Sequence, residues 1–300
     1  MRYTSPAWLF NGRLPESSDR KALRLRRTQL LADLELTGIT IEYHGEVLTK
    51  NDIIAAFEDL EKENTLAWHQ AVAKDKVLLD FLEDIHFDEG AVRDHYVRYL
   101  ENPLYQDANF IAWLSPYYYD SFVFYMEVNC LRASDVHALI ALLDVPLLMT
   151  PADIEKAWQT TRELLERPID QIRRYGEKAT SEVELARTGA WMDEGFLQLL
   201  HLLPQDQFAA VRDRYALTIA EACIHVQQKS RHHPVLIDRW LENAIRLAVS
   251  PPIRNRLERQ RAHLMGWQQQ IRRIRNIPLR AWIMIIAALI FCYWIGHKSH

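Results

Sequence analysis

Apolar residues recur at three- and four-residue spacing through most of the chain, the mark of helices that bury one stripe. From Asp19 to Thr37 the stripe is Ala22, Leu23, Leu30 and Leu34, with Gly38 as a stop. The period then shortens. Ile39-Thr40-Ile41-Glu42-Tyr43 and Glu46-Val47-Leu48 alternate about His44-Gly45, which predicts a small β-hairpin over 39–48. Thr49 and Asp52 form a capping pair for a helix running to Glu63. Further helices are predicted over 64–86 and 89–101, the second closed by Asn102-Pro103.

Residues 104–126 depart from the simple stripe. Phe110, Trp113, Tyr117, Tyr118, Tyr119, Phe122, Phe124 and Tyr125 fall within sixteen positions, and Ser115-Pro116 is expected to break the stretch in two. Such a run is either the core of a domain or a binding groove. Aromatic residues are enriched at interfaces, so Trp113, Tyr117, Tyr118 and Tyr119 are the candidates for contact with a protein partner. A short helix is predicted over 133–143.

Two prolines then mark a boundary: Asp144-Val145-Pro146 leads to Thr150-Pro151, an N-cap followed by proline at the first helical position. Beyond it the expected helices are 151–166, 168–187, 191–203, 205–229, 234–249 and 252–275, separated at Pro168, Gly189, Pro204, Pro234 and Ser250-Pro251-Pro252. The helix over 205–229 has the clearest stripe, with Phe208, Val211, Tyr215, Ile219, Ala222 and Val226. Ahead of everything, residues 1–18 form an irregular arm whose Trp8-Leu9-Phe10 either docks on a partner or straps onto the body.

The pattern changes for a last time near the C-terminus. Fifteen residues from Ala281 to Ile295 carry no charge. Leu279 to Gly296 would span about 27 Å as a helix at ~1.5 Å per residue, close to the roughly 30 Å hydrocarbon layer. Arg280 sits at the edge, where it can snorkel. Trp282 at one end, with Tyr293 and Trp294 at the other, match an aromatic belt. A buried core helix is the plainer reading of a short apolar run. The flanking aromatics and arginines favour a membrane anchor at 279–296.

Charge sets the expected orientation. Between Arg254 and Arg280 there are eight arginines and one glutamate, a net +7. The whole chain of 300 residues carries −4, which leaves residues 1–253 near −12 once Lys298 is counted. The basic neck, Arg272, Arg273 and Arg275 in particular, is drawn to anionic headgroups, while the acidic body is held off them. The positive-inside rule then places the N-terminal body in the cytoplasm. Nucleic acid is not an expected partner, because a membrane surface accounts for the arginines and their position.

The expected fold is mainly α: a helical cytoplasmic body with one small β-hairpin near the N-terminus and a single C-terminal transmembrane helix. Its expected parts are the arm 1–18, a helical domain 19–146, a second helical region 151–250, a basic juxtamembrane helix 251–278 and the anchor 279–296. Nine glycines in 300 residues agree with little sheet. Cys130, Cys223 and Cys292 are too few and too scattered for a disulfide framework or a zinc pattern.

Candidate chemistry is thin. Asp84-Ile85-His86-Phe87-Asp88-Glu89-Gly90 resembles a calcium loop only superficially, since the sixth position is Glu89 and the twelfth is His95. Asp84, His86, Asp88 and His95 are the residues a metal or acid–base site would use. His225, His232 and His233 with Cys223 make a second scattered group. No paired C-x-x-C, H-E-x-x-H, G-x-S-x-G or phosphate-binding glycine loop occurs. No cofactor is expected. The leading expectation is therefore a tail-anchored adaptor or scaffold for protein partners. The alternatives are a membrane-associated enzyme using the cluster at 84–95, or an effector that oligomerises through its tail.

Overall fold

The computed structural model describes residues 3–16, 20–37, 41–43, 46–83, 102–144, 147–178, 182–229 and 234–275. The protein is mainly helical, and the chain divides into two compact units, Met1–Thr161 and Arg162–His300. The division falls inside a long helix, shortly beyond the proline-bounded stretch at 144–151.

The first unit opens with a 3₁₀ turn, Pro6–Phe10, followed by α1 (Arg20–Thr37). Strands β1 (Ile41–Tyr43) and β2 (Glu46–Leu48) then pair antiparallel, with Ile41 opposite Leu48 and Tyr43 opposite Glu46. Helix α2 (Lys50–Leu60) starts where the sequence places its cap. Thr49 Oγ1 accepts from the Asp52 N–H at 3.3 Å, and the Asp52 carboxylate accepts from the Thr49 N–H at 2.7 Å. Aspartate thus completes the reciprocal box usually closed by glutamate. Helices α3 (Thr65–Lys74) and α4 (Lys76–Leu82) follow. The arm is a strap on its own body: Leu9 is fully buried with Ile53, Phe57, Leu60 and Leu66, and Trp8, Phe10, Leu30, Leu31 and Leu34 pack around them.

Helix α5 (Ala108–Tyr125) corrects the expected break at Ser115-Pro116, because it continues through Pro116. An interior proline costs about 3 kcal/mol. Burial of Phe110, Leu114, Tyr118 and Phe122 on one face outweighs that cost. Pro116 itself points to solvent. The helix runs into a π-helical turn, Met126–Arg132, and α6 (Val136–Asp144) begins after Ser134, which takes a left-handed φ of 56°.

Helix α7 (Pro151–Lys178) is a second correction: the expected stop at Pro168 is absent. Pro168 is buried, and Leu165, Ile169 and Ile172 around it are at most 1% exposed. Packing again overrides the lost backbone hydrogen bond. The second unit continues with α8 (Glu182–Ala190), α9 (Glu194–Leu202), α10 (Gln205–Lys229), α11 (Pro234–Leu247) and α12 (Pro251–Arg275). Every apolar position expected on the 205–229 stripe is buried. Gly176 of α7 meets α10 so closely that a Cβ there would lie 2.8 Å from the Cβ of Ala222. Tyr215 donates its hydroxyl to the Trp191 carbonyl at 2.8 Å, and Asn243 donates to the Met192 carbonyl at 3.2 Å, fixing the turn between α8 and α9.

Among the described residues no helix is long and apolar enough to cross a membrane. The span expected at 279–296, with Leu279, Arg280, Trp282, Tyr293 and Trp294, lies outside the described residues.

Candidate functional site

Helix α5 carries the aromatic residues singled out above, and its geometry sorts them by face. Tyr118 is 2% exposed and meets Phe81 with ring centroids 4.8 Å apart, so it is core. Tyr119 turns the other way. Its hydroxyl bonds Thr160 Oγ1 at 2.9 Å, and Lys156 stands 4.2 Å over its ring, a cation–π contact. Trp113 and Tyr117 are half-buried, and both pack edge-on against Tyr3 of the arm, at 6.3 and 5.4 Å. The four residues are therefore not one open surface: one is buried, one is tied to α7, and two are met by the arm.

Under that aromatic pair lies a chain of polar groups that the sequence pattern did not announce. The Tyr3 hydroxyl lies 2.9 Å from Nδ1 of His69, and Nε2 of His69 lies 3.0 Å from the Asp59 carboxylate. An ionised carboxylate only accepts, so Nε2 carries the proton, and in neutral His69 Nδ1 then accepts from the phenol. The order phenol, imidazole, carboxylate is that of a proton relay. Here its phenol end is buried. Tyr3 is 2% exposed, and burial, reinforced by the charge of Glu83, pushes its hydroxyl well above the ordinary value. A buried phenol that holds its proton this firmly is a fastener. Glu83 is a second fastener, 4% exposed: its carboxylate accepts from the Ser5 N–H and from the Tyr43 hydroxyl, both at 2.9 Å. Together they pin the arm and the hairpin to the helices.

Burial pushes the Asp59 carboxyl up, but hydrogen bonds from His69 and Lys62 pull it further down, so it ends below its ordinary 3.8. A carboxylate depressed in the folded state stabilises it above the unfolded value and loses that contribution as pH falls through the folded value. The first unit is thus expected to weaken on acidification below about pH 4. Asp59→Asn should flatten this part of the pH dependence, read as the shift in urea midpoint between pH ~6 and ~3.

The expected acid–base or metal cluster, Asp84, His86, Asp88 and His95, lies outside the described residues. Among the described residues no three His, Cys, Asp or Glu side chains converge as a metal site. Cys130 and Cys223 are buried, and burial drives the Cys223 thiol far up, which makes it inert packing. A surface cavity of about 750 Å³ opens beside α3 and α4, with Gln70, Lys74, Lys76 and Asn102 on its wall. Its carboxylate, Asp75, is engaged by the Tyr105 hydroxyl and the Leu78 N–H.

The basic neck is resolved into distinct roles. Asp213 of α10 is 7% exposed and accepts from the Val249 and Ser250 N–H groups at 2.7 and 3.1 Å, and from the Ser250 hydroxyl. It thereby holds the start of α12. Arg254 donates to the Ala248 carbonyl at 2.8 Å, Leu257 is fully buried, and Gln260 donates to the Ala220 carbonyl at 3.2 Å. Arg261 grips Asp238 through two hydrogen bonds of 2.6 and 3.1 Å and reaches Glu242 at 3.4 Å. Two of the eight arginines, Arg254 and Arg261, thus serve the fold, while Arg256 and Arg259 are exposed. Arg272, Arg273 and Arg275 fall in the last turns of α12.

Comparison with protein-family models, curated proteins and solved structures gives no match.

Proposed function

We propose that this protein is a tail-anchored scaffold, whose helical body is held at a membrane by residues 279–296 and offers its surface to protein partners. The observation that carries this reading is α12. It begins at a junction capped by Asp213, is clamped along its first half by Leu257, Gln260 and Arg261, and runs without interruption to Arg275. Its length is about 37 Å at ~1.5 Å per residue. A helix so fixed transmits the position of the tail to the body. The exposed Arg256 and Arg259, followed in sequence by Arg272, Arg273 and Arg275, supply the basic charge that anionic headgroups attract. The inert Cys223 thiol and the phenol locked in the Tyr3–His69–Asp59 chain support a binding role over catalysis.

Fractionation tests the anchor. The full chain is expected to stay with membranes through high-salt and alkaline washes, and a chain ending at Asn276 to become soluble. Release of the full chain by salt alone would reduce the attachment to arginine–headgroup attraction. Solubility of both chains would end the proposal.

A further inference from the structure

We infer that α1 is a self-association surface, on which a second copy of this chain packs antiparallel. Helix α1 has two apolar faces. One holds Leu23, which is 1% exposed, and the partly buried Leu30, Leu31 and Leu34. The opposite face carries Ala22, Leu25, Gln29, Ala32 and Leu36, and all five are exposed, Leu25 at 61% and Leu36 at 84%. Their spacing of three, four, three and four is the seam of a two-helix coiled coil. On a helix that only faced water this stripe would be polar.

Charge selects the occupant and its direction. The first half of α1 holds Arg20, Lys21, Arg24, Arg26 and Arg27 and no acid, while the second half holds Asp33 and Glu35 and no base. This order opposes the helix dipole, which favours acids at the N-terminus and bases at the C-terminus. The chain itself answers part of it: α2 and its C-terminal cap pair Glu58 with Arg27, Glu61 with Arg24 and Lys50 with Glu35, and the arm accepts from Arg26 at the Leu9 carbonyl and the Asn11 side chain. The seam has the same polarity on both flanks, Arg26 before Asp33 on one side and Lys21 before Glu35 on the other. A second α1 running antiparallel sets the basic half of each copy beside the acidic half of its mate. A parallel copy sets like against like. The antiparallel register also seats Leu25 opposite Leu36 of the second copy and Gln29 opposite Ala32, so each long side chain at the centre faces a small one.

The inference does not depend on the membrane anchor, and cross-linking keeps the two apart. The full chain is prepared in detergent with Cys292→Ser, Cys130 and Cys223 being buried. Leu25→Cys and Leu36→Cys are made separately, then mixed under mild oxidation. The mixture is expected to yield a disulfide-linked dimer several-fold more abundant than either variant alone. In the antiparallel register two copies of residue 25 lie about 16 Å apart along the helix axis, beyond the ~7 Å Cα reach of a disulfide. Equal dimer from one variant alone would overturn the direction, and no dimer in any sample would overturn the surface. A dimer of the unmodified chain that survives Leu25→Glu with Leu36→Glu in sedimentation would overturn it as well. Both positions are exposed, so these changes leave the fold intact, which circular dichroism checks.

Discussion

Asp213→Ala is expected to destabilise the second unit by about 3–5 kcal/mol, read from urea unfolding of the full chain by far-ultraviolet circular dichroism. The carboxylate is the acceptor for two backbone N–H groups and one hydroxyl at the junction of α11 and α12. Alanine leaves those donors without a partner in a site that water does not reach freely, and each orphaned buried group costs about 1–3 kcal/mol. A second loss adds to this. Arg212 is 8% exposed, burial pulls its guanidinium below the ordinary value, and the charge of Asp213 pulls it back up. Without Asp213 the buried cation loses that compensation. Asp213→Asn separates the two contributions. Both backbone donors bond the same oxygen, Oδ1, which asparagine keeps. The amide nitrogen then faces Ser250, whose hydroxyl can turn to accept. The expected cost is about 1 kcal/mol, reflecting lost charge with the hydrogen bonds retained. Equal costs for the two variants would mean that charge, and not hydrogen-bond satisfaction, holds this junction.

Trp240→Ala is expected to cost about 3–5 kcal/mol, because a fully buried indole leaves a cavity as well as losing its transfer energy. The ring is packed so closely that a Cβ at Gly189 would lie 3.4 Å from its Cζ2. Its environment has a further property: Nε1 is buried and, among the described residues, has no hydrogen-bond partner. A buried donor without a partner costs about 1–3 kcal/mol in protein interiors. Trp240→Phe removes that donor while keeping an aromatic plane. Its expected net cost is within about 1.5 kcal/mol of the native chain, since the relief offsets much of the lost volume. A phenylalanine variant as unstable as the alanine one would show that shape alone decides at this position. Both variants are compared by the same urea midpoint.

Helices were legible where an apolar stripe repeats over several turns. The Phe208 to Val226 series of α10 is buried at every expected position, and the Thr49–Asp52 cap and the hairpin at 41–48 stand where local pattern puts them. These features arise from neighbours within a few residues, so the order of residues alone determined them. The fate of Pro116 and Pro168 was not legible. Locally each breaks a helix, and only the burial of Phe110, Leu114, Tyr118 and Phe122 in one case, and of Leu165, Ile169 and Ile172 in the other, reverses the outcome. The aromatic run was visible in the sequence, but its sorting into core, arm contact and α7 contact follows from which face of α5 each residue occupies.

The polar fasteners lie at the far end of this scale. Tyr3 and His69 are 66 positions apart, Ser5 and Glu83 are 78, and Asp213 and Val249 are 36. No periodicity links such pairs, because each is created by the packing that brings its elements together. The sequence by itself determined the helical class, the capped start of α2, and the charge split along α1 and along the neck. The tertiary structure decided which polar groups meet, which prolines are tolerated, and which leucines of α1 remain on the surface. Burial is a collective property of packed elements, whereas periodicity and capping belong to a single segment of chain.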